Sequence, residues 1–378
     1  LERLELVPFR RAVEEGVDAV MTAHVAVPAI LGPDGPPATL SPYFLTQLLR
    51  EEMGFGGLLL TDAIRMQAIA QHYGVGESAV LALEAGADII LAPADVLVTL
   101  DAVEEAVGSG RISRERLDAS VRRVLEMKAR AGLHRNRKVN LDRVTRVVAS
   151  AEHLALADSA ASRSITMPRD REELVPVDPR ELGRVAHVVF AREADLTAGT
   201  TLSAELGRYF PSVTTTRMTA SSSGEDYAEL EWRVGSAELV VVSAFVTPRA
   251  GAGEVALPEA FSRFVQGSAA RRPTVVLSMG NPYLLSALPE VGTYLLAWGP
   301  HEVSQTAAAR ALVGERAITG TLPISLPPFH ALGEGLVREA VPDVPLLGLS
   351  SEQELEVGVM RREETRERGG AEPGADPY

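Results

Sequence analysis

The chain has 378 residues, 46% of them hydrophobic, a formal net charge of −14 and no cysteine. The length predicts two domains, with apolar content enough for a large core. The acidic balance excludes the basic surface that nucleic acid or an anionic membrane requires, and the missing cysteines exclude disulfides and thiolate metal sites.

In chain order, residues 17–22 read as a strand, followed by a Pro/Gly-rich loop from Pro28 to Leu40. A helix is predicted from about Pro42 to Met53, with Ser41 as N-cap, Pro42 at the first helical position and Gly54 past the end. Phe44, Leu45, Leu48 and Leu49 form its apolar stripe. A strand at 58–61, a helix over 77–85 ending at Gly86, a strand at 88–92 and a helix over 96–107 continue the pattern. Ser113 is placed to cap a further helix. Strands recur about every 30 to 40 residues with helices between them, the βα rhythm of a parallel sheet. Their near-continuous apolar runs predict cover on both faces, with Val20, Leu58, Leu60 and Ile90 facing inward. Residues 131–180 are mixed and read as a surface linker, helical near 152–164.

A second α/β region follows. Strands are predicted near 185–191, 239–245, 274–279, 294–298 and 323–326, with helices around 202–209, 258–266 and 303–313. That pattern predicts a doubly wound sandwich. Beyond about Leu347 the chain is charged and Gly/Pro-rich, the composition of a disordered tail. No apolar run reaches bilayer length. No signal peptide is visible, and the chain begins with Leu1 rather than Met. The natural N-terminus is therefore expected upstream, and localisation and oligomeric state stay open.

One stretch asks for chemistry. Gly57-Leu58-Leu59-Leu60-Thr61-Asp62 is an apolar run that stops on an acid, without a turn signal after it. In parallel α/β sheets functional groups collect at the carboxyl ends of strands. Asp62 stands at that end. Capping the next segment, or pairing with a buried base, is the plain alternative.

The stretches AHVAVPAI (23–30), PATLSPYFLTQLLREEMGFGGLLLTDAIRM (37–66) and ALEAGADIILAP (82–93) resemble glycoside hydrolase family 3, and its β-N-acetylhexosaminidase branch in particular. The resemblance implies the C-terminal part of a (β/α)8 TIM-type barrel over 1–130, a linker over 131–180, an α/β/α sandwich over 181–330 and a tail over 347–378. It implies a retaining glycosidase acting on a carbohydrate substrate, a GlcNAc-containing glycan such as a bacterial cell-wall fragment, without cofactor. Asp62 matches the family's nucleophile, and Ala63 after it stands where the β-glucosidase branch carries Trp. His24 matches a family His in Ala-His-Val and is expected to wall the pocket beside Asp62; a loop-bonding His is the alternative. Met66 is expected to line the sugar pocket, against plain core packing.

A retaining glycosidase also needs a group that protonates the leaving oxygen. Hexosaminidase-like relatives carry it after a Lys-His-Phe-Pro-Gly-His-Gly type motif, which this chain lacks. The expectation is therefore a C-terminal portion of a longer enzyme, inactive by itself on aryl N-acetylglucosaminides for want of that proton donor. Glu254, in a loop after the strand at 239–245, is the candidate acid/base, and His301 a weaker one. The seven histidines show no metal-binding spacing, so no metal is expected. The competing readings are a β-glucosidase or phosphorolytic relative, a non-catalytic carbohydrate-binding module, and a flavodoxin-like nucleotide binder. The last lacks a phosphate loop.

Overall fold

A computed structural model describes residues 2–247 and 256–347. Glu254 and the tail from 348 onward lie outside the described residues. The chain forms two compact units, residues 1–141 and 142–378.

In the first unit helix α1 (Val7–Glu14) leads into strand β1 (Ala19–Met21). Helix α2 (Tyr43–Glu52) follows the loop, then strand β2 (Leu58–Leu60). Helices α3 (Val75–Ala85), α4 (Val96–Gly108) and α5 (Arg114–Arg130) complete it. α2 is wide and closes with an i→i+5 bond from Met53 N–H to the Leu48 carbonyl, 2.9 Å. It starts one residue later than the Ser-Pro signal predicts, with Pro42 as the flanking residue, and buries Leu45, Leu48 and Leu49. Ser113 caps α5 as expected, accepting from Arg116 N–H at 3.1 Å.

β1 and β2 pair in parallel, Ala19 opposite Leu58 and Met21 opposite Leu60. The predicted strand at 88–92 reduces to one parallel bridge between Leu60 and Ile89. Gly57 is needed at the start of β2: a Cβ there would stand 2.4 Å from the Asp18 carbonyl oxygen. The register corrects the expected inward face. Val20 lies opposite Leu59, so side-chain alternation puts both on the face away from Leu58 and Leu60. Val20 and Ile90 pack instead with Leu59, Leu45, Phe55 and Ala82 in the core under the helices.

At the amino ends of these strands the Asp88 side chain is fully buried. It accepts from Arg50 (2.5 Å), Leu59 N–H (3.0 Å), Ser120 (2.5 Å) and Arg123 (3.0 Å), with Arg116 at 3.7 Å. One carboxylate thus ties α2, β2 and α5 together. Burial pushes the Arg50 and Arg116 guanidinium pKa values down, against the opposing pull of Asp88.

The second unit is a three-layer α/β/α sandwich. Its six-stranded sheet has the order β3-β8-β7-β6-β4-β5, from β3 (Thr166–Asp170), β4 (Arg184–Phe190), β5 (Ser212–Met218), β6 (Leu239–Ala244), β7 (Thr274–Ser278) and β8 (Thr293–Leu296). Only β3 is antiparallel. The parallel strands therefore follow the doubly wound order, reversing between β4 and β6. Helices α6 (Ala151–Ser164), α7 (Thr200–Leu206) and α10 (Glu302–Leu312) cover one face. Helices α8 (Gly224–Val234) and α9 (Glu259–Ala269) cover the other.

Two expectations need correcting here. Part of the segment read as a linker builds α6 and β3, whose five residues are all buried. The predicted strand at 323–326 is a tight reversal with one antiparallel bridge, Leu326 to His330. Pro327 and Pro328, which lack donors, end any ladder there.

Candidate functional site

Three chain segments leave the carboxyl end of the first unit's small sheet in register. Thr22 N–H donates to the Leu60 carbonyl (2.8 Å), and Thr61 N–H to that of Ile89 (3.0 Å). The Thr61 hydroxyl accepts from Leu91 N–H at 2.9 Å, and Ile64 N–H donates to the Leu91 carbonyl at 3.0 Å. Residues 22–24, 61–66 and 91–92 therefore emerge side by side. Ala92 ends its segment in the left-handed region, φ +43°, which costs a non-glycine residue strain.

Asp62 is half-buried at this end. Its Oδ1 accepts from the N–H of Ala63 at 2.6 Å. Its other oxygen takes no hydrogen bond from the described residues. The carboxylate is therefore aimed by its own turn and keeps one oxygen for another partner. Arg65 next to it is exposed and forms no salt bridge among the described residues.

His24 sits beside this turn. Its Nε2 is 3.1 Å from the Ala63 carbonyl oxygen and its Nδ1 is 3.0 Å from the Thr39 hydroxyl. Both ring nitrogens are therefore engaged within the protein. Met66 N–H also donates to the Ala63 carbonyl, at 2.9 Å. The Met66 side chain is 45% exposed, so plain core packing does not describe it. Asp62, His24 and Met66, separated by up to 42 positions, thus meet around one peptide unit.

Thr22 and Thr39 belong to this arrangement and were not singled out by sequence reasoning. Thr39 is fully buried in the turn Ala38–Leu40, docked by the Ala38 N–H on the Val25 carbonyl at 2.9 Å. The one signal was its place inside PATLS, two residues before the predicted N-cap Ser41, where a threonine reads as part of the turn into the helix. His301, in the second unit, is exposed and flanks the start of α10. Among the described residues, no second carboxylate or histidine hydrogen-bonds Asp62, and no three His, Cys, Asp or Glu side chains gather as for a metal ion. No described helix is long and apolar enough to cross a membrane.

Comparison with known proteins bears on this end of the sheet. Residues 1–127 match the glycosyl hydrolase family 3 N terminal domain. A beta-N-acetylglucosaminidase/beta-glucosidase of Cellulomonas fimi is 26% identical over 341 residues, 84% of this chain and 59% of that protein. A beta-hexosaminidase of Neisseria gonorrhoeae is 42% identical over 91 residues, 24% of each chain. The solved structure of a family 3 beta-N-acetylglucosaminidase from Paenibacillus is 34% identical, with a TM-score of 0.73 over 85% of this chain and 60% of that one. The chain thus spans about 60% of the length of its long relatives. The family fold matches what the sequence implied, barrel-type βα units followed by a sandwich.

Proposed function

We propose that the chain carries the nucleophile of a retaining glycoside hydrolase that removes terminal β-linked N-acetylglucosamine. The carrying observation is the Asp62 carboxylate, held on one oxygen by Ala63 N–H with the other oxygen unpaired, at the end of the sheet where family 3 chemistry is expected. In the first step the unpaired oxygen attacks the anomeric carbon, the glycosidic C–O bond breaks, and the leaving oxygen takes a proton from a separate acid. Water, activated by the same group, then cleaves the glycosyl-aspartate with net retention. Met66, exposed on the same turn, contacts the sugar. His24 stands at the pocket's edge. Glu254 stays the candidate acid/base, on the strength of the sequence alone.

The names of the Neisseria and Paenibacillus relatives favour the N-acetyl sugar. That of the Cellulomonas relative spans both N-acetylglucosaminidase and β-glucosidase and supports a β-glucoside as second substrate.

The test is hydrolysis of dinitrophenyl N-acetyl-β-glucosaminide, whose leaving group departs without a proton. Asp62→Ala is expected to lower the rate by about three orders of magnitude or more. A variant within tenfold of the wild type would remove Asp62 from the mechanism. A preference for the matching β-glucoside would favour the second substrate.

A further inference from the structure

We propose that Thr39 is a positioning residue: through His24 its hydroxyl fixes the peptide unit after Asp62 and so sets the direction of the carboxylate. The proton positions follow from the partners. The Ala63 carbonyl can only accept, so His24 Nε2, 3.1 Å away, carries the ring proton. In the neutral ring Nδ1 must then accept, and its neighbour at 3.0 Å is the Thr39 hydroxyl. Thr39 in turn accepts from the Thr22 hydroxyl at 3.0 Å, which leaves its own single proton for His24. Starting from either end, the relay runs one way: Thr22 to Thr39 to His24 to the Ala63 carbonyl.

The far end of this relay is the turn that carries Asp62. The peptide unit joining Ala63 and Ile64 is held on its carbonyl by His24 and Met66 N–H, and on its N–H by the Leu91 carbonyl. The adjoining peptide unit supplies the N–H that grips Asp62 Oδ1. With these planes fixed, the carboxylate has little freedom to swing. Thr39 is fully buried and touches no solvent, so its hydroxyl serves the interior alone. His24 likewise spends both nitrogens on the relay and meets a ligand only through ring carbon.

The experiment compares Thr39→Val, which keeps the shape and loses the hydroxyl, with Thr39→Ser, which keeps the hydroxyl. Nitrogen NMR of the labelled chain, with His24→Gln to assign the ring signals, reads the relay directly. The wild type and Thr39→Ser are expected to show Nε2 protonated and Nδ1 as a hydrogen-bonded acceptor. In Thr39→Val the Nδ1 signal should move to the position of an unbonded ring nitrogen. Amide exchange at Ala63 and Ile64 should quicken at least about tenfold in Thr39→Val and stay near wild type in Thr39→Ser. A proton on Nδ1 in the wild type, or unchanged Nδ1 and amide exchange in Thr39→Val, would overturn the proposal. Should Thr39→Val fail to fold, Thr39→Ala removes the same hydroxyl with less bulk in the buried turn, with the same two readings expected and the same contrary outcomes. The consequence for catalysis rests on the proposed function. Hydrolysis should fall about 10- to 100-fold in Thr39→Val through kcat, with KM little changed and recovery in Thr39→Ser. If the Asp62→Ala test fails while the NMR result holds, the relay stands and the role of Asp62 falls; if kcat is unmoved by Thr39→Val while Asp62 proves essential, the positioning role falls.

Discussion

In the second unit β6 and β7 are buried at every position, with apolar clusters on both faces of the sheet. In the first unit β1 and β2 are three residues each, and Ala19 and Met21 on β1 are exposed. The two regions are therefore held together differently. The sandwich relies on continuous apolar packing. The first unit relies on helices over a small core, on the Asp88 cluster at the amino ends of its strands, and on side-chain to backbone bonds at their carboxyl ends. Short strands that end on polar groups suit a unit proposed to carry chemistry at its strand ends. A saturated sheet suits a unit that supplies stability.

The largest effect that would sharpen this contrast is the loss of Asp88. Asp88→Ala leaves Arg50, Arg116 and Arg123 around a buried void. The expected cost is about 3–5 kcal/mol, confined to the first unit. Both tryptophans, Trp232 and Trp298, lie in the second unit. Urea unfolding followed by tryptophan fluorescence therefore reports the sandwich alone, while circular dichroism reports both. Asp88→Ala should bring an early circular dichroism transition and leave the fluorescence midpoint in place. A fluorescence midpoint that moves equally would break the comparison.

The next effect belongs to the sandwich. His187 on β4 is fully buried, its two nitrogens 2.7 Å from the Ser203 and Ser243 hydroxyls. Burial pushes its pKa down from 6.5 to about 3. Between those values the unfolded chain takes up a proton that the folded chain refuses. The contribution is complete above pH 6.5 and is lost as pH falls toward 3, at about 1.4 kcal/mol per pH unit. The fluorescence-detected midpoint should fall accordingly over that window. In His187→Gln this part of the slope should vanish, and an unchanged slope would contradict the assignment.

The smallest effect tests the helices of the first unit. Ser113→Ala removes the cap bond to Arg116 N–H and should cost about 1 kcal/mol. The loss should show in circular dichroism alone, with the fluorescence midpoint unmoved.

These regions also differ in how much the sequence discloses. The capped helices of the first unit and the apolar strands β4, β6, β7 and β8 are legible because burial on both faces leaves an uninterrupted hydrophobic run. β5 is not, since Ser212–Met218 is a partly exposed, threonine-rich edge strand with no apolar pattern. β3 escaped because Thr-Met-Pro-Arg-Asp contains a proline and two charges. Yet Arg169 is satisfied by the Pro289 and Val291 carbonyls, and Asp170 by Arg338 and Thr293. These partners lie more than 100 residues away in sequence. The same holds at the candidate site. Asp62 is visible as an acid closing a strand, and His24 as a residue after one. Thr39 becomes visible only when the loop folds back and brings its hydroxyl to His24.

The account stands most directly on Asp62 forming a bond to sugar. A 5-fluoro N-acetylglucosaminyl fluoride needs no proton donor to lose fluoride, and its fluorine slows the hydrolysis of the resulting ester. Intact mass after incubation should show one added sugar, and peptide mapping should place it on Asp62, with no adduct on Asp62→Ala. An adduct on another residue, or a chain that stays unlabelled at saturating reagent, would contradict the account.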